Sequence, residues 1–278
     1  MKTKFSLRIK FAAALFVLIV LSACTKTKEN AKLESEPSTV RIEYSNLING
    51  YKVTAIWKPV YVKHGCAYGA AIVEFYNPKD SVKFDVTNGY FAIDIKKLPF
   101  SYDKDSLKVV RFNETNITLL YKEMNNKTNE NFGNTWEPFF FQDVDFDNVK
   151  DLIMEEYGQG QRAGACFRAY KLDEKGQREE QIFNITYVEP FFSLDNNSKI
   201  DYANKRIEIV RCCGSCAYET KIYSIDEKES SSYGGNKFFL EFIKQEKYNS
   251  DEGKCYEETY RIIDGSKVFE SQREIVNN

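Results

Sequence analysis

The chain has 278 residues, a formal net charge of -2 at pH 7 and an aromatic content of 15%. Its acidic and basic residues are nearly balanced and form no Lys/Arg stripe, which argues against a nucleic-acid-binding protein, because phosphate recognition needs a concentrated basic surface. The 18 Tyr and 21 Phe, with only six Pro, favour β-strands.

Residues 1–23 are predicted to be a secretory signal peptide. Four basic residues (Lys2, Lys4, Arg8 and Lys10) precede an apolar stretch at 11–23 that is too short to span a bilayer as a helix. The sequence Leu21-Ser22-Ala23-Cys24 resembles the bacterial lipobox, in which the cysteine is acylated with palmitate-type chains and becomes the first mature residue. Such acylation would hold the protein on a membrane essentially permanently. The alternative is an ordinary secretory signal with a chance cysteine.

Residues 24–39 are polar and predict a lipidated, flexible tether, followed by a β domain at 40–278. Thr25 follows Cys24 where an Asp would resemble an inner-membrane retention signal, so we expect the outer membrane, on its periplasmic face. Residues 1–23 contain four basic and no acidic residues, so their removal changes the formal net charge from -2 to -6. An acidic mature chain favours a cationic protein partner.

From residue 40 onward, short β-prone runs alternate with turn signals. The clearest turn pairs are Asn49-Gly50, Asn88-Gly89, Gly234-Gly235 and Asp264-Gly265. Many short strands joined by close turns predict an all-β protein, which leaves a sandwich, two small β domains, a barrel or a propeller open.

His64 is the only histidine, so any Ser-His or Cys-His relay would have to use it. Its neighbours Lys63, Gly65 and Cys66 match no nucleophile motif, and we therefore expect a structural role and no enzymatic activity. A glycan-acting enzyme stays open as the alternative, since it needs only two carboxylates roughly 5–9 Å apart.

Four aspartates lie close together between two apolar runs at 139–141 and 152–154, which predicts strand, loop, strand. Ca²⁺ takes roughly six to eight oxygen ligands, and alternate carboxylates in a tight loop provide them. An EF-hand is excluded because the twelfth residue from Asp143 is Met154 instead of Glu. The predicted ligands are the side chains of Asp143, Asp145, Asp147 and Asp151 and the backbone carbonyl of Val149.

Asn148 lies at the sharp bend of this loop, where a left-handed conformation is expected. The alternative interpretation is an acidic surface turn, although four carboxylates this close repel one another without a cation. Glu155 and Glu156 follow the second apolar run and are predicted to face solvent.

The pattern Asp143-x-Asp145-x-Asp147-Asn148-x-x-Asp151-Leu152 resembles the DxDxDGxxDL loop of FG-GAP repeats in integrin-type propellers, with Asn148 in place of Gly. The single copy is more similar to bacterial calcium-binding β-propellers of the cell envelope that are related to periplasmic lysozyme inhibitors. That similarity extends to the segments 166–172, 173–176 and 189–194. The resemblance implies a propeller of about five blades and a role in binding and blocking a lysozyme-like enzyme.

Six cysteines remain after Cys24, and an even number in an oxidising compartment predicts disulfides. They are Cys66, Cys166, Cys212, Cys213, Cys216 and Cys255. The alternative is a thiol or metal sensor built on the Cys212 to Cys216 cluster, which contains a C-x-x-C motif.

Together these features predict a membrane-anchored lipoprotein with a structural Ca²⁺ ion that acts as a binding module. The specific hypothesis is an inhibitor or immunity protein against a lysozyme-like cell-wall hydrolase.

Overall fold

The structure is a computed structural model, which describes residues 39–105, 109–112, 116–122, 137–156, 166–172, 182–212 and 217–275. All of them belong to one structural unit, Pro37–Asn278. The predicted signal peptide, Cys24 and the tether up to residue 38 lie outside the described residues. Within the described part, no helix is long and apolar enough to cross a membrane.

Strands account for almost all of the regular structure that is described. In chain order, β1 to β17 are Val40–Tyr44, Lys52–Lys63, Cys66–Tyr76, Lys83–Asp94, Phe100–Tyr102, Val109–Phe112, Asn116–Leu119, Phe139–Gln142, Asp151–Glu156, Cys166–Leu172, Ile182–Asn184, Lys199–Asp201, Arg206–Cys212, Tyr218–Ser230, Asn236–Asn249, Lys254–Ile263 and Ser266–Ile275. Two short 3-10 turns lie at Ile95–Lys97 and Phe191–Ser193.

The strands form four sheets. The first sheet has the order β4-β3-β2-β1-β7, the second β11-β10-β9-β8 and the third β12-β13-β14-β15-β16-β17, while β5 and β6 form a separate ribbon. All neighbours pair antiparallel except β1 and β7, which are parallel. In β1 the residues Val40, Ile42 and Tyr44 are buried and alternate with exposed charged residues, as expected for a strand with one face in the core.

The second sheet is the exception, because both of its faces are buried. Phe139, Phe141, Leu152 and Met154 pack in a cluster with residues of the first sheet, whereas Phe140 and Ile153 pack with residues of the third. Burial on both faces explains why residues 139–141 and 152–154 are continuously apolar instead of alternating. The hairpin β8–β9, which carries the aspartate loop, therefore lies between the two other sheets.

The all-β prediction is confirmed. The described strands belong to separate open sheets, which also suits the two-sheet alternative, and no closed ring of blades is present among the described residues.

The turn at His64-Gly65 joins β2 to β3, and both residues have positive φ, at 49° and 79°. A two-residue hairpin turn with positive φ at both positions is type I′, in which Gly is preferred because it has no Cβ. The His64 side chain is exposed at this turn, so its role here is that of a turn residue.

Asn88-Gly89 was predicted as a hairpin turn, and this prediction is wrong. Both residues lie inside β4, where the pairing with β3 shifts by one residue between Gly69 and Ala71. The Asn88 side chain stabilises this irregularity, because its Oδ1 accepts a bond from the Tyr90 backbone N–H at 2.6 Å. Its amide donates to the backbone carbonyl of Glu155 at 2.8 Å and so links the first two sheets. The turn signal thus marks a β-bulge.

Candidate functional site

The aspartate loop connects β8 to β9 as predicted from the sequence. Gln142 and Asp151 form the last cross-strand pair, so residues 143–150 make the connection. Asn148 has the expected left-handed conformation, with φ of 68°. Phe146 also has positive φ, at 61°, which the sequence did not indicate. Its ring is buried and packs against the rings of Tyr202 and Phe238, with centroids 5.7 and 6.0 Å away, and this packing offsets the backbone strain.

Carboxylate oxygens accept the backbone N–H groups inside the loop. Asp143 accepts from Asp147 at 3.2 Å and from Asn148 at 3.0 Å. Asp147 Oδ1 accepts from Val149 at 2.9 Å, and Asp151 Oδ2 accepts from Val144 at 3.0 Å. These bonds fix the loop backbone and leave only some carboxylate oxygens free to meet a cation.

The free oxygens belong to the most deeply buried aspartates. Asp145 and Asp151 have no solvent exposure. Among the described residues, Oδ1 of Asp145 has no hydrogen-bond partner, while Oδ2 of Asp145 and Oδ1 of Asp151 meet only the ammonium of Lys171. Asp143, Asp145 and Asp151 each offer an oxygen, and these oxygens lie within 4.8 Å of one another. A buried oxygen without a partner costs about 1–3 kcal/mol or more if charged, and a hard cation relieves that cost. The donor set therefore fits a hard cation, the class to which Ca²⁺ belongs.

Asp147, predicted as a ligand, is not a member of this group of three. Its Oδ2 instead accepts a hydrogen bond from the ammonium of Lys171, at 2.6 Å. The Lys171 Nζ also lies 2.9 Å from Oδ2 of Asp145 and 3.7 Å from Oδ1 of Asp151. Lys171 belongs to β10 and is itself buried, so one buried positive charge already lies among the carboxylates of Asp145, Asp147 and Asp151.

Burial and the ammonium act in opposite directions on these carboxyl groups. Burial raises the pKa of Asp145 to about 7 although Lys171 partly offsets it. Burial and the neighbouring Asp145 hold the pKa of Asp151 well above its ordinary value. Burial also acts to raise the pKa of Asp147, but the hydrogen bonds from Lys171 and from the Val149 backbone, together with the charge of Lys171, outweigh it and the pKa is lowered. Of the three carboxyl groups beside Lys171, that of Asp147 is therefore held most firmly in its charged form.

The third sheet covers the loop. The Asn236 side-chain amide donates to the backbone carbonyl of Asp145 at 2.8 Å, and the Tyr202 hydroxyl donates to that of Asp143 at 3.0 Å. Gly235, in the turn between β14 and β15, approaches so closely that a Cβ there would lie 1.7 Å from Oδ2 of Asp145. These contacts join the carboxylates to a second sheet.

A solved structure with a similar fold gives a comparison. It is a Type IV secretion system related protein from Xanthomonas, with a TM-score of 0.52 and 14% sequence identity over 89% of this chain and 97% of that chain. No family model and no curated protein matches the sequence. At this level of identity the likeness concerns the fold alone.

The structure describes only some of the cysteines. Cys66 and Cys166, which begin β3 and β10, are free thiols. Cys255 is buried and disulfide-bonded, and its partner lies outside the described side chains. Cys213, Cys216 and the side chain of Cys212 also lie outside the described part of the chain, so disulfides or a sensor role there stay predictions.

The prediction that Glu155 and Glu156 face solvent is only partly right. Both are half-buried, and Glu156 pairs with Arg168, whose Nε lies 2.7 Å from Oε2. Glu155 lies at the end of β9 remote from Asp151. Burial alone raises the pKa of its carboxyl from the usual 4.5 to about 7.

We expect the substitution Glu155→Gln to stabilise the domain at pH 8 and to leave it nearly unchanged at pH 4.5. Between pH 4.5 and 7 the folded protein keeps a proton that the unfolded chain has lost, so the free energy of unfolding falls as pH rises through this window. The gain at pH 8 should be about 1–3 kcal/mol, measured by urea unfolding at both pH values. Glu43→Gln, an exposed residue of β1, is the control. An equal effect of Glu155→Gln at both pH values would contradict the assignment.

Proposed function

We propose that this chain is a lipid-anchored protein of the bacterial cell envelope, held in the outer membrane through Cys24, whose β domain binds Ca²⁺ and blocks a lysozyme-like cell-wall hydrolase. The observation that supports the calcium part is the set of three buried carboxylate oxygens of Asp145 and Asp151, at the connection between β8 and β9, that meet no donor among the described residues other than Lys171. The N-terminal pattern at residues 1–24 supports the anchoring. The fold neighbour, named for its relation to a Type IV secretion system, is in accord with an envelope role.

The metal's role in this proposal is architectural. Asp143, Asp145 and Asp151 would hold Ca²⁺ together with the predicted ligands Asp147 and the Val149 carbonyl. The ion would neutralise charge that is buried between two sheets, and so fix the contacts that Asn236 and Tyr202 make with the loop. The blades of the proposed propeller, about five by resemblance, would then be fixed beside the loop.

A candidate contact surface for the hydrolase lies in the segment after β11. Tyr187 and Phe192 are aromatic residues five positions apart, and they are 72% and 60% exposed. The backbone beneath them is fixed by bonds from Val188 to Ile185 and from Phe191 to Val188, at 2.9 and 2.7 Å. Exposed aromatic side chains on a rigid segment lose little conformational entropy on binding and are typical anchors of protein interfaces. The acidic charge of the mature chain would speed encounter with a basic enzyme.

The test is inhibition of peptidoglycan hydrolysis by lysozyme-class envelope hydrolases, using the full-length protein in detergent. We expect inhibition by the wild type, and a loss of at least about tenfold in affinity, roughly 1.4 kcal/mol, when Tyr187 and Phe192 are both replaced by Ala. Tyr248→Ala, which removes an equally exposed ring (60%) from the third sheet, is the matched control.

A chelator should also weaken inhibition if the Ca²⁺ loop fixes the domain. If no hydrolase is bound while the chelator still lowers the melting temperature, the inhibitor proposal is removed and the structural calcium site remains. If the hydrolase is bound but neither chelator nor Ca²⁺ changes stability, the calcium part fails.

A further inference from the structure

Lys171 occupies the place where a loop cation would be expected. Its ammonium lies within 4 Å of one oxygen each of Asp145, Asp147 and Asp151. Each of these oxygens is outside the hydrogen bonds that fix the loop backbone, because those bonds use Oδ1 of Asp147, Oδ2 of Asp151 and both oxygens of Asp143.

The same oxygens are the ones that Ca²⁺ needs. Among the described residues, Oδ1 of the fully buried Asp145 has no hydrogen-bond partner, and Oδ2 of Asp145 and Oδ1 of Asp151 meet only the ammonium, which is an observation independent of the acidic sequence. A Ca²⁺ ion bound at roughly 2.3–2.6 Å from them would be separated from the ammonium by only a few ångströms. Two cations this close in a buried site repel each other strongly. Both therefore cannot use these oxygens at once in the arrangement that the structure shows.

If Ca²⁺ and the Lys171 ammonium cannot occupy the site together, one of them must replace the other. The lysine stem is long and flexible, so the ammonium has a way to leave the carboxylates while its backbone stays paired in β10. Without metal, the ammonium neutralises part of the buried negative charge. With metal, two positive charges replace one among four carboxylates. The excess negative charge of the four carboxylates thus favours Ca²⁺ binding, whereas the existing ion pairs between Lys171 and the carboxylates oppose it.

We propose that the Lys171 ammonium is an internal counter-ion that Ca²⁺ displaces. The lysine holds the metal-free loop in its folded form, lowers the affinity for Ca²⁺, and moves away from the carboxylates when the metal binds. This inference rests on the proposed calcium site and adds a residue that sets its affinity.

The first test is calorimetric titration of Ca²⁺ into the chelator-treated, full-length protein in detergent. Lys171→Met keeps an apolar stem of similar length and removes the charge, and it should bind Ca²⁺ about tenfold or more tightly than the wild type, because the competing cation is gone. Lys205→Met, which removes an exposed lysine paired with Glu227, should leave the affinity unchanged.

The second test uses the wild type alone, so it does not depend on the variant folding. An amine-acylating reagent followed by peptide mass spectrometry should find Lys171 protected without metal and modified when Ca²⁺ saturates the site. A control lysine such as Lys205 should react equally in both states. Continued protection of Lys171 in the Ca²⁺-saturated protein would overturn the displacement.

The outcomes separate this inference from the proposed function. Equal Ca²⁺ affinity of the wild type and Lys171→Met overturns the competition and leaves the calcium site intact. If Lys171→Met binds Ca²⁺ and the wild type does not, the competition is supported, but the lysine then excludes the metal from the natural protein. The proposal of a structural Ca²⁺ ion in the natural protein fails in that case. If neither the wild type nor Lys171→Met binds Ca²⁺, both the competition and the calcium site are overturned.

Discussion

Replacing Asp145 by Ala is expected to lower the free energy of unfolding by about 2–4 kcal/mol and to abolish the response of the melting temperature to Ca²⁺ and to chelator. Asp145 is completely buried and lies 2.9 Å from the ammonium of Lys171. Removing one partner of a buried ion pair leaves the other charge poorly compensated, which is more costly than losing a surface pair. Asp147 and Asp151 still contact Lys171 in the variant, so the loss should be smaller than for an isolated pair.

The calcium response should disappear because Asp145 contributes one buried oxygen with no partner among the described residues and a second that meets only Lys171. Thermal unfolding of wild type and variant, each with Ca²⁺ and with chelator, measures both effects. Asp85→Ala is the matched control, since Asp85 is an exposed strand residue of the first sheet, and it should keep both the stability and the calcium response. A calcium response that survives in Asp145→Ala would show that the ligands are wrongly assigned.

Local sequence patterns were sufficient to predict the loop and its flanking strands. The apolar runs at 139–141 and 152–154 became β8 and β9, and Asn148 has the left-handed conformation expected from its position. Two-residue turn signals such as Asn49-Gly50 and Asp264-Gly265 also have the expected positive φ. These features depend on neighbours within a few residues, and such interactions are visible in the sequence.

The parts that were missed depend on residues distant in the chain. Lys171 follows Asp147 by 24 positions, and Asn236 follows Asp145 by 91. Each is brought to the loop only by sheet pairing and packing, which no local pattern encodes. In retrospect Lys171 carried one signal, since it is a charged residue within the otherwise apolar end of β10, where a buried lysine needs partners. The turn predicted at Asn88-Gly89 was wrong although its local signal was strong. There a contact with another sheet accompanies a bulge where the sequence predicted a turn.

Gly235→Ala is expected to cost about 2–3 kcal/mol of stability and to weaken Ca²⁺ binding, although Gly235 is distant from the loop in sequence. A Cβ at this position would lie 1.7 Å from Oδ2 of Asp145 and 2.6 Å from Cε2 of Tyr233. Both neighbours are buried, so neither can move aside into solvent. The methyl group would push the turn between β14 and β15 away from the loop, or push Asp145 out of its position.

The matched control is Gly89→Ala, because a Cβ at Gly89 meets nothing within 4 Å and its φ is not in the left-handed region. This variant should be neutral within about 0.5 kcal/mol or slightly stabilising. Urea unfolding and Ca²⁺ titration of both variants measure the difference between them. If Gly235→Ala matches the control in both, the third sheet does not cover the carboxylates in solution as it does in the structure. If stability falls while the affinity for Ca²⁺ is unchanged, the turn stabilises the domain without shaping the cation site, and coupling between the loop and the third sheet is excluded.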